Sequence, residues 1–234
     1  MAVYKYKREE FMTGVKRFFT PVNILVDIGC GIRPFVDIKT KVHICIEPYK
    51  EYIDIIQGYC PTDSHYVFMN TDGITGLKTF ADNSVDTVCM VDLIEHLEKD
   101  DGFELLRQAD RIARQQVIVF TPLGYFPQEY HAGEKDAWGM DGIQFQQHKS
   151  GWHPEDFGNN WDFHICEKYH LKEACHMPID KDYGCFFAIK NKIFRFIEPA
   201  NVPDFVKNAA SQKRIINTGT KKGLFKKNKL LGGK

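Results

Sequence analysis

A chain of 234 residues, 43% hydrophobic and 26% charged, has the composition of an ordinary globular protein and the length for one sizeable catalytic domain with its own core. No run approaches the roughly 20 apolar residues that span a bilayer, and Met1 to Glu10 is charged rather than leader-like, which argues against membrane-spanning and secreted classes and predicts an intracellular, cytoplasmic protein. The formal charge is zero, yet between Lys190 and Lys234 twelve Lys or Arg stand against only Glu198 and Asp204. This predicts a domain over residues 1–192 followed by a basic extension over 193–234, read first as a solvated tail and second as a holder of nucleic acid, an anionic surface or a phosphorylated substrate.

In chain order, the apolar spacing of Phe11 to Phe19 predicts a short amphipathic helix ahead of Thr20-Pro21. Apolar runs then predict strands at Ile24–Ile28, Val42–Ile46, Tyr66–Met69, Val85–Val91 and Val117–Phe120. The clearest helical segment, Leu93 to Ile112, lies between the fourth and fifth. Alternation of strand and helix implies a parallel sheet. Two further strands, Asp162–Tyr169 and Tyr183–Ile189, lack a helical pattern between them and predict an antiparallel hairpin at one edge. The fold class is therefore α/β: a mostly parallel seven-stranded sheet with helices on both faces. Gly124 to Gln147 is a long aromatic connection, the kind that usually has a task.

The seven cysteines include no Cys-x-x-Cys pair, so reduced, structural thiols are expected. His164, Cys166, His170, Cys175 and His176 come closest to a metal cluster, but at a spacing that matches no zinc pattern.

The first predicted strand runs into Asp27-Ile28-Gly29-Cys30-Gly31. Two glycines there permit a tight turn and close approach of backbone to a ligand, and a helix is expected to follow, with Pro34 in its first turn. Glu47, before Pro48, ends the second strand sixteen residues beyond Gly31, where a carboxylate can accept from both hydroxyls of a ribose. A dinucleotide enzyme would carry a third glycine where Ile32-Arg33-Pro34-Phe35 stands. Asp27 adds negative charge beside the turn, which suits a cationic cofactor better than a pyrophosphate. After the third strand, Asp72-Gly73 offers a carboxylate for an adenine amino group, or simply a turn.

These residues, with Val91-Asp92-Leu93-Ile94-Glu95-His96-Leu97, resemble the class I S-adenosylmethionine-dependent methyltransferases over roughly residues 23–189. The resemblance implies a Rossmann-like fold and S-adenosylmethionine as cofactor. It assigns the methionine part to Asp27, Gly29 and Gly31, the ribose to Glu47, the adenine to Asp72, and the cofactor and acceptor lining to Asp92 through His96, with Cys30, Pro48 and Gly73 as further cofactor-binding candidates.

Methyl transfer is a displacement at an already activated carbon, so alignment is the main task. A hydroxyl acceptor must also lose its proton, for which His is suited near neutral pH. His96 and His148, with Asp92, are the catalytic candidates. The loop from Gln144 to Phe157 groups amides, charges and an indole as sugar sites do, nominating Tyr125, Gln147, Lys149, Trp152 and His153 for the acceptor. Phe120 to Gln128 with His148-Lys149-Ser150-Gly151-Trp152 is similar to methyltransferases of polysaccharide and O-antigen synthesis. The leading expectation is O-methylation of a glycan or nucleotide-sugar hydroxyl. A methyltransferase of RNA or protein that uses the basic tail comes second, and a non-catalytic cofactor-binding partner third. A divalent metal held by Asp92, Asp141 and His148 is compatible with this spacing but not demanded by it.

Overall fold

The computed structural model describes residues 1–59, 65–131, 133–174 and 179–192. The basic extension, Cys175 and His176 lie outside the described residues. One sheet organises the rest. Its strands are β1 (Val3–Lys5), β2 (Ile24–Ile28), β3 (Val42–Ile46), β4 (Tyr66–Met69), β5 (Val85–Val91), β6 (Ala113–Pro122), β7 (Asp162–His170) and β8 (Tyr183–Asn191). They lie in the order β1-β7-β8-β6-β5-β2-β3-β4. β2 to β6 are mutually parallel where they pair, and β8 runs antiparallel to both β6 and β7.

The sheet has eight strands rather than seven, because Val3–Lys5 pairs in parallel with Phe163–Ile165. Short and exposed, β1 has too few residues to show a strand pattern. Long-range contacts hold it instead: Tyr4 stacks on His164 at 4.7 Å between ring centroids, and Tyr6 Oη meets His164 Nδ1 at 2.9 Å. The hairpin β7–β8 is thus one strand in from the edge.

Alternation along the strands sorts the core to two faces. Val26, Ile28, Val88, Met90, Val117 and Val119 pack with Leu105, Ala109 and Ile112 of α4 (Lys99–Ile112). Leu25, Cys89, Ile118 and Phe120 pack with Phe11 and Val15 of α1 (Arg8–Val15). In α4 the buried Gly102, Leu105, Ala109 and Ile112 recur at helical spacing, and Asp100 and Asp101 at its start with Arg111 at its end complement the helix dipole. The remaining helices are α2 (Lys50–Tyr59), α3 (Gly73–Lys78) and the single turn α5 (Ile143–Gln146).

The helix expected after the glycine turn is absent: residues 29–41 connect β2 to β3 through turns. Pro34 disfavours helical backbone at Arg33, and the Phe35 N–H is taken by the Asp27 carboxylate at 2.7 Å. The helical segment after β5 also begins late. Ile94–His96 is one 3-10 turn, and α4 starts at Lys99. Among the described residues no helix is long and apolar enough to cross a membrane.

Candidate active site

Because β2, β3, β4, β5 and β6 are parallel, their carboxyl ends share one edge of the sheet. Strand order reverses between β2 and β5, and a cleft of about 1240 Å³ opens there, where ligands of open α/β sheets bind. Asp27, Gly29, Cys30, Gly31, Glu47, Pro48, Asp72 and Asp92 all line it. Gly73 does not; it packs inward, where an added Cβ would come within 2.7 Å of Ile28 Cγ2.

The glycine turn needs its glycines. Gly29 and Gly31 have φ of +66° and +53°, and an added Cβ would meet Leu93 Cδ1 at 2.5 Å or Trp138 Cη2 at 2.3 Å. Glu47 braces the turn from β3: the Gly31 N–H donates to its Oε2 at 3.0 Å and the Tyr49 N–H to its Oε1 at 2.9 Å. Burial pushes the Glu47 carboxyl up to about 7 despite these bonds. Asn70 steadies the same corner by donating to the carbonyls of Glu47 and Pro48, each at 2.9 Å. Asp72 caps α3, accepting from Thr75 N–H at 2.8 Å.

Asp27 works from beneath the turn. Besides Phe35 N–H, its carboxylate accepts from the Cys89 thiol at 3.4 Å and meets His43 Nε2 at 3.2 Å. Burial alone would lower the His43 pKa, but the bond to Asp27 and the neighbouring Cys45 outweigh it and raise it to about 9.

Asp92 ends β5 in the left-handed region, at φ +49°, which is rare for a residue other than glycine and recurs at functional positions. It opens to the cleft while protein surrounds its other sides, and this desolvation pushes its carboxyl up to about 7.

Beyond Asp92, Glu95, His96, His148 and Lys149 line the cleft. The loop carrying His148 is stitched to the 3-10 turn: Lys149 and Ser150 N–H donate to the Glu95 carbonyl at 2.7 and 3.1 Å, and Trp152 Nε1 donates to the Ile94 carbonyl at 3.1 Å. The His96 and His148 rings consequently stand 4.7 Å apart, edge to face. His96 Nδ1 faces the Gln147 carbonyl at 3.3 Å and His148 Nδ1 the Phe126 carbonyl at 2.7 Å. A carbonyl only accepts, so each Nδ1 carries the proton and each Nε2 a lone pair. Burial, and then His148, hold His96 down to about 3; burial likewise lowers His148. Both rings are neutral at neutral pH.

The other acceptor candidates separate from the cleft. Trp152 is fully buried, wedged against Gly102 of α4 with Lys99 Nζ 3.8 Å from its ring centre; the indole is a core anchor for the loop, not a sugar platform. Tyr125, Gln147 and His153 lie outside the lining; Tyr125 Oη reaches the His148 carbonyl only at 3.4 Å. Asp141 pairs with Lys135 at 2.6 Å and does not join Asp92 and His148.

Sequence reasoning missed the cap over the turn. Asp136 accepts from Tyr52 Oη at 2.5 Å and from the N–H groups of Trp138, Met140 and Gly142 at 2.9, 2.8 and 3.1 Å. These bonds hold Trp138 across Gly31. The only linear signal was an Asp followed by glycines in a long loop. Asp136→Ala is expected to raise the KM for cofactor about tenfold with little change in kcat, and to speed proteolytic cleavage within residues 124–147; steady-state kinetics and limited proteolysis check both.

Eight lining residues carry carboxylates (Asp27, Glu47, Asp72, Asp92, Glu95, Glu129, Glu134, Asp136) against three cations, Arg33, Lys135 and Lys149. That balance suits a cationic cofactor beside the turn. A glycine turn shaped for close approach and a buried carboxylate at the end of β3 fit an adenosine-bearing sulfonium.

Residues 26–121 match the family described as "Methyltransferase domain". Among solved structures, a SAM-dependent methyltransferase from Archaeoglobus fulgidus is 18% identical, with TM-score 0.51 over 80% of this chain and 95% of the other. The YcgJ protein from Bacillus subtilis is 12% identical, with TM-score 0.54 over 80% and 100%. Phosphoethanolamine N-methyltransferase 2 of Haemonchus contortus is 12% identical, with TM-score 0.51 over 80% and 53%. No curated protein sequence matches. At these identities the structures share the fold alone. Family match over residues 26–121 and fold together support an S-adenosylmethionine-dependent methyltransferase, with S-adenosylmethionine as the cofactor.

Proposed function

We propose that the protein methylates a hydroxyl group of a sugar, in a glycan or a nucleotide-sugar. The observation that carries this reading is the neutral His96–His148 pair, each with an Nε2 lone pair, at the end of the cleft beyond the glycine turn. S-adenosylmethionine, when bound, supplies an electrophilic methyl carbon on a sulfonium. Gly29, Gly31 and Glu47 hold its amino-acid and ribose parts, and Asp72 receives the adenine. The Trp138 cap excludes water from the turn. Asp92 and Lys149 orient the acceptor, and a histidine Nε2 takes its proton as the oxygen attacks. The five described cysteines are free and buried, which supports a reducing, cytoplasmic setting.

The test is transfer of a labelled methyl group to a panel of sugars, nucleotide-sugars, RNA and protein. Incorporation into a sugar that withstands amide- and ester-cleaving conditions is the expected result. Incorporation only into RNA or protein would move the acceptor to those classes and give the basic 193–234 segment a substrate-binding role; tight cofactor binding with no transfer to any acceptor would make the chain a non-catalytic partner.

A further inference from the structure

We propose that Glu95, His96 and His148 form a site for one divalent first-row metal ion at the acceptor end of the cleft, and that this ion receives two neighbouring hydroxyl oxygens of the acceptor. One ligand atom of each residue lies within 4.8 Å of the others, and all three side chains are buried along the cleft wall. Cis ligands about an ion with bonds of roughly 2.1 Å stand roughly 3 Å apart, a closure that small side-chain rotations supply.

Three observations point to a cation. First, both histidines have Nδ1 against a backbone carbonyl, at 3.3 and 2.7 Å; this is the outer hydrogen bond that fixes a metal-ligating imidazole and leaves Nε2 to bind. Second, Glu95 is a buried carboxylate whose Oε2 accepts from Thr121 Oγ1 at 2.9 Å, yet among the described residues no Lys, Arg or His nitrogen lies within 4.0 Å of it. An ion among the three residues would give Glu95 the cationic partner it lacks. Third, the backbone fixes the arrangement, since the Lys149 and Ser150 N–H groups donate to the Glu95 carbonyl itself.

Two imidazoles and one carboxylate are a donor set for Mn²⁺, Fe²⁺ or Zn²⁺ that leaves positions open for substrate oxygens. The cluster of Asp27, His43 and Cys45 differs: all three are buried, only Asp27 of them reaches the cleft lining, and Asp27 and His43 are already bonded to each other. Among the described residues this leaves a single accessible site.

The ion changes where the acceptor proton goes. In the metal-loaded protein this would replace the histidine base proposed above: with Glu95, His96 and His148 holding the ion, the acceptor hydroxyl would be acidified and would lose its proton to solvent water, while the O–CH₃ bond forms as the C–S bond breaks and S-adenosylhomocysteine leaves. The favoured acceptor is a vicinal diol rather than an isolated hydroxyl. This catalytic role rests on the proposed hydroxyl methylation, whereas binding of the ion does not.

Mn²⁺ titrated into chelator-treated full-length protein, followed by electron paramagnetic resonance, is expected to show one tightly bound ion per chain. Glu95→Gln and His148→Ala should each weaken it at least tenfold while S-adenosylhomocysteine affinity stays within about twofold. No bound Mn²⁺, or binding that neither variant changes, would overturn the site. Should a variant lose its circular dichroism, anomalous scattering from Mn²⁺-soaked wild-type crystals decides, and the lack of a peak among the three side chains overturns the proposal. Mn²⁺ binding without methylation of any sugar defeats the proposed acceptor and supports the site. Sugar methylation undiminished in ion-free protein overturns the ion's catalytic role and leaves the proposed acceptor standing.

Discussion

Glu47→Ala is expected to weaken S-adenosylmethionine binding about 100-fold, read as Kd by isothermal titration. The carboxylate has two tasks. It receives the Gly31 and Tyr49 N–H groups, which sets the shape of the turn, and in the proposed reading its remaining lone pairs accept from two ribose hydroxyls. Hydrogen bonds to a charged group contribute about 1.5–3 kcal/mol each, so losing the ribose pair alone accounts for about 3 kcal/mol or more, and 1.4 kcal/mol is tenfold. The pH dependence has a defined sign. Burial raises the Glu47 carboxyl to about 7, and the ionised form is the one that accepts from the ribose. Kd should therefore rise as pH falls below 7, and Glu47→Gln should flatten that slope. A pH-independent Kd in the wild type would remove Glu47 from the cofactor contacts.

Asp27→Ala is expected to cost about 3–5 kcal/mol of stability, measured by denaturant unfolding, because it leaves His43 buried beside a lost partner and orphans the Phe35 N–H. The pair also sets a pH window. His43 titrates at about 9 in the folded protein against an ordinary 6.5 when unfolded. A folded pKa raised above the unfolded one contributes stability that is fully present below about pH 6.5 and is lost as pH rises through 9. The wild type should lose on the order of 3 kcal/mol across that interval, at 1.36 kcal/mol per pKa unit. Asp27→Asn should show a smaller loss, since the amide keeps an acceptor but not the charge.

Local chemistry is legible in linear order. The strands Ile24–Ile28, Val42–Ile46, Tyr66–Met69 and Val85–Val91 end where their apolar runs end, because burial of consecutive apolar residues in a parallel sheet leaves little freedom in register. The residues at their carboxyl ends follow from the same reading, since parallel strands must place those ends on one edge. The segment after the glycine turn is the exception. Glycine and proline spacing there suits a helix start, but the bond from Phe35 N–H to Asp27 is a contact over eight residues that composition does not show.

The Asp27 to Gly31 turn, Glu47 and Asp72 are legible in linear order at the cleft edge, because each lies within a few residues of a strand end that the apolar pattern marks. The pairing of the two histidines is tertiary. His96 and His148 are brought together across 52 positions by the bonds that Lys149, Ser150 and Trp152 make to the backbone of Ile94 and Glu95. The same packing took Trp152 out of the cleft, and it put Trp138 over Gly31 through Asp136. Contacts of that range depend on which surfaces the folded sheet brings face to face, and no periodicity along the chain encodes them.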